Sequence, residues 1–209
     1  MPRRSVPLVP GEYYHVYNRG NNRQDIFLSR ENYGFFLRRV RDYLLGEERE
    51  RLPKSHRLRK SPEAGPCATI VAYCLMPNHF HMLVRPEDDE LSDHMQRLGI
   101  SYTKAINERF GRVGALFQGQ FQALHVDKDE YLLHLTRYMH LNPVIAGMVR
   151  RAENWEFSSY RDYIGLRGGT LVSPDIVLAQ FPSRAAYREY VEALREGEDE
   201  VIKHLVWDE

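Results

Sequence analysis

The spacing of apolar residues changes period several times along the chain. Residues 13–18 (YYHVYN) are rich in β-formers and run into the turn-like cluster NRGNN, which predicts a strand followed by a loop to about residue 28. From Ser29 the pattern turns helical, with Phe35, Leu37, Val40, Tyr43 and Leu44 at helix spacing, Ser29 as candidate N-cap and an end at Gly46. Residues 46–66 are charged, hold three prolines and show no apolar period, which predicts a mobile loop. Residues 67–75 (CATIVAYCL) and 79–84 (HFHMLV) flank the turn MPN and read as a β-hairpin. Leu91 to about Phe110 reads as a helix, with Met95, Leu98, Ile100, Tyr102, Ile106 and Phe110 as apolar positions. Ala115 to Val126 reads as a strand, with Gly119 as a candidate bulge. A helix then runs from Asp127 or Asp129 and stops ahead of Pro143.

The order β-α-β-β-α-β predicts an α+β fold of the ferredoxin-like, split βαβ kind. It has an antiparallel sheet with helices on one face, followed by a further helix after the last strand. Residues 1–165 are expected to form the main domain, and 166–209 a helical, acidic tail whose clearest helix is SRAAYREYVEAL.

Composition adds bounds. The chain has 209 residues, 43% of them hydrophobic, enough for one sizeable core. No apolar run is long enough to cross a bilayer, and MPRRSVPLVPGEYY holds no stretch long enough for a secretory signal. Cys67 and Cys74 fall on opposite strand faces by their odd spacing, so they are not expected to pair, which suits a reducing cytosol. The net charge is zero, but it is uneven. Residues 1–60 carry 14 Lys and Arg against 7 Asp and Glu, whereas 166–209 carry 5 against 9. A basic binding face and an acidic tail, or merely solvated helices, are both open on charge alone.

Two patterns bear on chemistry. In MPNHFHMLVRP, His79 and His81 point to one face of the predicted strand, about 7 Å apart along it. A metal ion, a phosphate and two structural histidines are all compatible with that doublet. In YLLHLTRYMHLNPV, Leu132, Leu135 and Met139 form the apolar stripe of a helix, which leaves Tyr138 and Asn142, four apart, on a more polar edge. His134, one turn before Tyr138, reads as a surface residue or a proton acceptor.

Several of these segments, in order, resemble the single-tyrosine transposases of the HUH (His-hydrophobic-His) superfamily. The likeness is to the REP-associated tyrosine transposases and their insertion-sequence IS200-like relatives. YHVYNRGNN looks like the family's first strand and loop, YCLMPNHFHMLV like its hairpin, YMHLNPVIAGMV like its tyrosine helix, and WEFSSYRDYIG like the segment that follows. The resemblance spans about residues 13–165. It implies that Tyr138 is the nucleophile and that His79, His81 and Asn142 hold a divalent cation, Mg²⁺ or Mn²⁺. It implies nicking and rejoining of single-stranded DNA through a 5′-phosphotyrosine, at repetitive palindromic hairpins, in the bacterial cytoplasm near the nucleoid. It leaves the choice of monomer or homodimer open. No G-x-x-x-x-G-K-[ST] loop is present, which agrees with rejoining that needs no nucleotide hydrolysis.

Contacts to DNA are expected from Arg19, Asn21 and Arg23 after the first strand and from Tyr102, Lys104 and Arg112 on or after the second helix. Gln118 and Gln120 in FQGQFQ are further candidates. Family members commonly read FQGRFK there; glutamine reads a base edge but neutralises no phosphate. The acidic tail is a partner surface or a competitor for the basic face. Rival readings are a non-catalytic nucleic-acid-binding module of the same fold, an HUH replication initiator, and a zinc hydrolase that does not need Tyr138. An RNP1-type aromatic pattern is missing from HFHMLVRP, which argues against an RNA-recognition domain.

Overall fold

The structure, a computed structural model, describes residues 6–46 and 65–193. Four strands, β1 (Tyr13–Arg19), β2 (Ala68–Met76), β3 (His79–Pro86) and β4 (Gln122–Val126), form one antiparallel sheet in the order β2-β3-β1-β4. The helix α1 (Arg30–Val40, continued by a wider turn over Arg41–Leu45) joins β1 to the hairpin, and α2 (Leu91–Phe110) joins the hairpin to β4. This is the α+β arrangement expected from the order of elements.

Two-residue alternation decides what each face of the sheet packs on. Val16, Phe80, Met82 and Val84 meet Phe36 and Val40 of α1 and Leu98, Tyr102 and Ile106 of α2 in one core. The opposite face carries Leu83, Cys74 and, across a β-bulge between Ile70 and Ala72, both Val71 and Ala72. That face packs on Leu132, Leu135, Tyr138 and Met139 of α3 (Asp129–Ile145). The two helices of the split βαβ therefore share one face, and the helix after the last strand covers the other. Cys67 and Cys74 are free thiols, buried in different cores.

Three sequence expectations shift. Ala115–Val126 is a strand only from Gln122; Leu116 and Phe117 are adjacent yet both buried, which a strand with one buried face cannot do. Residues 115–121 instead follow the end of β1 through a lone bridge between Phe117 and Gly20 and a bond from Gln118 N to Arg19 O (2.9 Å). Helix α3 runs through Pro143 to Ile145 rather than stopping before it. It ends where Gly147 adopts φ 69° and donates to Val144 O (2.9 Å), a left-handed terminus that favours glycine. Beyond α4 (Tyr160–Tyr163), the expected tail holds α5 (Asp175–Leu178) and α6 (Arg184–Glu192), and these belong to the folded unit. Leu171 and Val172 join the first core, and Val177, Tyr187 and Val191 the second. A truncation that tests the acidic tail must therefore keep residues up to 193; residues 194–209, like 47–64 of the expected loop, lie outside the described residues. Among the described residues no helix is long and apolar enough to cross a membrane.

The hairpin turn Pro77–Asn78 is held by the loop that leaves β1. Ile26 N and Phe27 N donate to Pro77 O (2.8 and 3.0 Å), and Gly20 N to Asn78 O (2.8 Å). Gly20 is tightly enclosed, since a Cβ there would lie 1.9 Å from the backbone oxygen of Gln24. Gly20→Ala is expected to displace this loop and to cost about 2 kcal/mol or more of stability, read as a lower urea midpoint. A midpoint equal to that of the parent chain would show that the loop yields freely.

Candidate active site

Strand β3 projects His79 and His81 from the face that α3 covers. Their ring centroids lie 4.9 Å apart at 78°. Tyr138, on α3, is only 4% exposed and sits with its ring 5.7 Å from that of His81, at 79°. The tyrosine is thus not on a polar edge of its helix. It faces the sheet beside Met139, because the helix buries a wider arc than the Leu132-Leu135-Met139 stripe. Asn142, one turn further on, is also buried. His134 is half-exposed and lies 3.9 Å from Glu130, on the outer side of the helix.

Burial decides the charge of the histidines. It pushes His79 down to about 4, with the nearby Arg19 guanidinium adding to the effect. His81 lies well below its ordinary value, first through burial and then through His79, His15 and Arg19. Both rings are neutral at pH 7 and keep a lone pair for a ligand. In each it is Nδ1 that a neighbour engages. His79 Nδ1 is 2.6 Å from Asn78 Oδ1, and His81 Nδ1 is 2.9 Å from His15 Nε2.

Two members of this site escaped the sequence reading. His15 is fully buried under His81 and is pushed by burial to about 3. Tyr17 is half-buried, its ring 4.8 Å from His15 and 6.2 Å from His81. Both alternate with Tyr13 on one face of β1, and β1 pairs Tyr17 with His81 and Arg19 with His79. The alternation in YYHVYN was a signal; the partner strand was not.

The expected DNA contacts separate into three groups. Arg19, Asn21, Arg23, Arg112 and Gln118 gather where β1 ends. Asn21 N donates to Leu116 O (2.8 Å), Gln118 N to Arg19 O, and an Arg112 amine lies 3.5 Å from Gln24 Oε1. Lys104 and Gln120 instead line a cavity of about 710 Å³ beside α2, with Asn18, Phe80 and Phe121, on the sheet face opposite the histidines. Tyr102 is excluded as a base-stacking residue. It is 0% exposed among Phe27, Phe36 and Phe117, and its hydroxyl donates to Ile26 O (2.8 Å). Its helix position is a core position, and an aromatic residue there fills the core.

His79 and His81 are a pair of neutral imidazoles on one strand face, a chemistry that suits a divalent cation, and Asn142 is a buried amide on α3, the helix that packs on that face. Among the described residues no third His, Cys, Asp or Glu joins them. Arg19 adds a positive charge beside the pair, which suits an anionic ligand.

The family model described as "Transposase IS200 like" matches residues 58–142, from before the hairpin to Asn142. A Haemophilus influenzae protein described as a REP-associated tyrosine transposase is 28% identical over 101 residues, 43% of this chain and 57% of that one, so the match spans little more than half of that relative. A solved REP-associated tyrosine transposase bound to a REP hairpin superposes with a TM-score of 0.58 at 20% identity, over 84% of this chain and 90% of that one. Residues 58–142 are thus similar to the IS200-like transposases, and the fold of the chain is similar to that of a solved REP-associated tyrosine transposase.

Proposed function

We propose that the chain cuts and rejoins single-stranded DNA next to hairpin-forming repeats, with Tyr138 as the nucleophile. The observation that carries this reading is the phenol ring of Tyr138 set 5.7 Å from His81, which itself adjoins His79. A nucleophile that forms a covalent phosphoester beside a pair of neutral imidazoles is the arrangement that strand transfer needs. Mg²⁺ or Mn²⁺, held by His79, His81 and Asn142, would withdraw charge from a non-bridging phosphate oxygen.

The protein's own steps follow. Arg19 offers its charge to the scissile phosphate. Tyr138 Oη bonds to phosphorus, and the bond to the 3′ oxygen breaks. The proton lost by the phenol balances the one taken up by the departing 3′-hydroxyl, and the 5′ end stays on Tyr138 as a phosphotyrosine. Attack of a 3′-hydroxyl on that ester reverses the sequence and reseals a strand without ATP. A free tyrosine loses its proton only near pH 10, so the site must assist deprotonation. The solved relative is bound to a hairpin. Here the cluster of Arg19, Asn21, Arg23, Arg112 and Gln118 is the surface we assign to the strand leaving such a hairpin.

The test is a denaturing gel with hairpin DNA labelled at its 5′ or 3′ end, with Mn²⁺ or Mg²⁺. A covalent adduct on the downstream fragment, lost with chelator, is expected. Hairpin binding without any adduct would leave a binding module of the same fold.

A further inference from the structure

His15 is buried against His81, one of the two imidazoles assigned to the cation; this inference rests on the function proposed above. A neutral imidazole has one nitrogen that donates and one that accepts. For His79 the choice is fixed. Asn78 Nδ2 donates to Arg23 O (3.2 Å), which turns Oδ1 toward His79 Nδ1 at 2.6 Å. An amide oxygen only accepts, so His79 Nδ1 carries the hydrogen and Nε2 the lone pair.

His81 has no such one-way partner at Nδ1. Its neighbour is another imidazole, with His15 Nε2 at 2.9 Å. If His81 Nδ1–H donates to His15, His81 Nε2 keeps its lone pair and His15 carries its hydrogen on Nδ1. If His15 Nε2–H donates instead, His81 must be protonated at Nε2 and cannot ligate. His15 Nδ1 is buried and has no hydrogen-bond partner among the described residues, so nothing beneath it fixes either arrangement. We propose that His15 is the positioning residue of the cation site, accepting the Nδ1 hydrogen of His81 and so presenting His81 Nε2 as a ligand. Ligation through His81 Nε2 would require this arrangement of the pair, and a side chain at position 15 that cannot accept a hydrogen bond removes it.

The experiment uses the full chain and reads structure and binding rather than activity. In the protein labelled with ¹⁵N-histidine and saturated with Mg²⁺, long-range ¹H–¹⁵N spectra should show His81 protonated at Nδ1. Titration calorimetry with Mn²⁺ should show His15→Phe weakened about tenfold or more. His15→Gln offers a carbonyl oxygen in place of the lost nitrogen and should stay within about threefold of the parent chain. Circular dichroism establishes that each variant is folded. Folded His15→Phe with parental affinity overturns the inference. So does a folded His15→Gln as weak as His15→Phe, since position 15 would then act through packing. If His15→Phe does not fold, the spectra decide, and His81 protonated at Nε2 under saturating Mg²⁺ overturns the inference. A parent chain that binds neither cation removes the cation site from the proposed function, and this inference with it.

Discussion

Tyr138→Phe should abolish the covalent protein–DNA adduct and lower strand cleavage about a thousandfold or more, with hairpin affinity within about threefold of the parent chain. The substitution removes one oxygen from a ring that is 4% exposed and packed with Leu135, Met139 and the sheet, so the helix keeps its apolar contacts. What it removes is the atom that, on the proposed reading, bonds to phosphorus. The rival is Tyr17, whose ring lies 6.2 Å from His81 against 5.7 Å for Tyr138. The two distances are too close to separate the tyrosines by proximity alone, so the pair of variants is needed. Tyr17→Phe should retain the adduct. If the adduct disappears with Tyr17→Phe and survives in Tyr138→Phe, the nucleophile belongs to β1. Cleavage that continues in Tyr138→Phe with no adduct would mean that water attacks the phosphate, which is the hydrolase reading.

What the sequence revealed and what it hid divide along the range of the interactions. The hairpin was legible because alternation on both sides of MPN and a two-residue turn are local properties. Helix α2 was legible from Leu91 to Phe110 for the same reason. Pro143 misled because a proline inside a helix costs one backbone hydrogen bond and some crowding of the preceding turn without forbidding the helix, and the true stop is Gly147 with its positive φ. The early part of the expected β4 misled because Leu116 and Phe117 are both drawn into the core, which no two-residue period records. In the site, HFH and the tyrosine helix were visible as separate patterns. That His15 stands under His81 depends on β1 pairing with β3 from more than sixty residues away, and no local spacing carries that register. Tyr102 shows the converse error: an aromatic residue near basic ones suggested base stacking, whereas its helix face is turned to the core.

The same burial that keeps the site histidines neutral should make the fold sensitive to mild acid. His15 and His140 are pushed to about 3 and His79 to about 4, in each case first by burial, and His81 lies well below its ordinary value. His140 is part of the second core, where its Nδ1 lies 2.7 Å from the Tyr187 hydroxyl and its Nε2 2.8 Å from Ser159 Oγ, tying α3 to α6. Unfolding returns each ring to an ordinary value near 6.5. Between that value and the folded one the unfolded chain binds protons that the folded chain does not, so stability rises with pH across this window. The stabilisation is whole above about pH 6.5 and is lost progressively as pH falls toward 4. Each ring loses about 1.4 kcal/mol per pH unit once well below 6.5, so four together lose on the order of 5 kcal/mol per unit. A domain with a total stability of about 5–15 kcal/mol cannot sustain that for long. Stability is therefore expected to fall steeply below about pH 6 in the presence of chelator. Urea midpoints by circular dichroism at pH 7.5, 6.5, 5.5 and 5.0 give the slope, which should approach four protons at the acid end. His140→Phe, whatever it does to stability at pH 7.5, should lower that slope by about one proton, because it deletes one titrating ring. A flat profile from pH 6.5 to 5.0 would mean that the four imidazoles take up protons in the folded chain as readily as in the unfolded one, and that their burial does not control their charge.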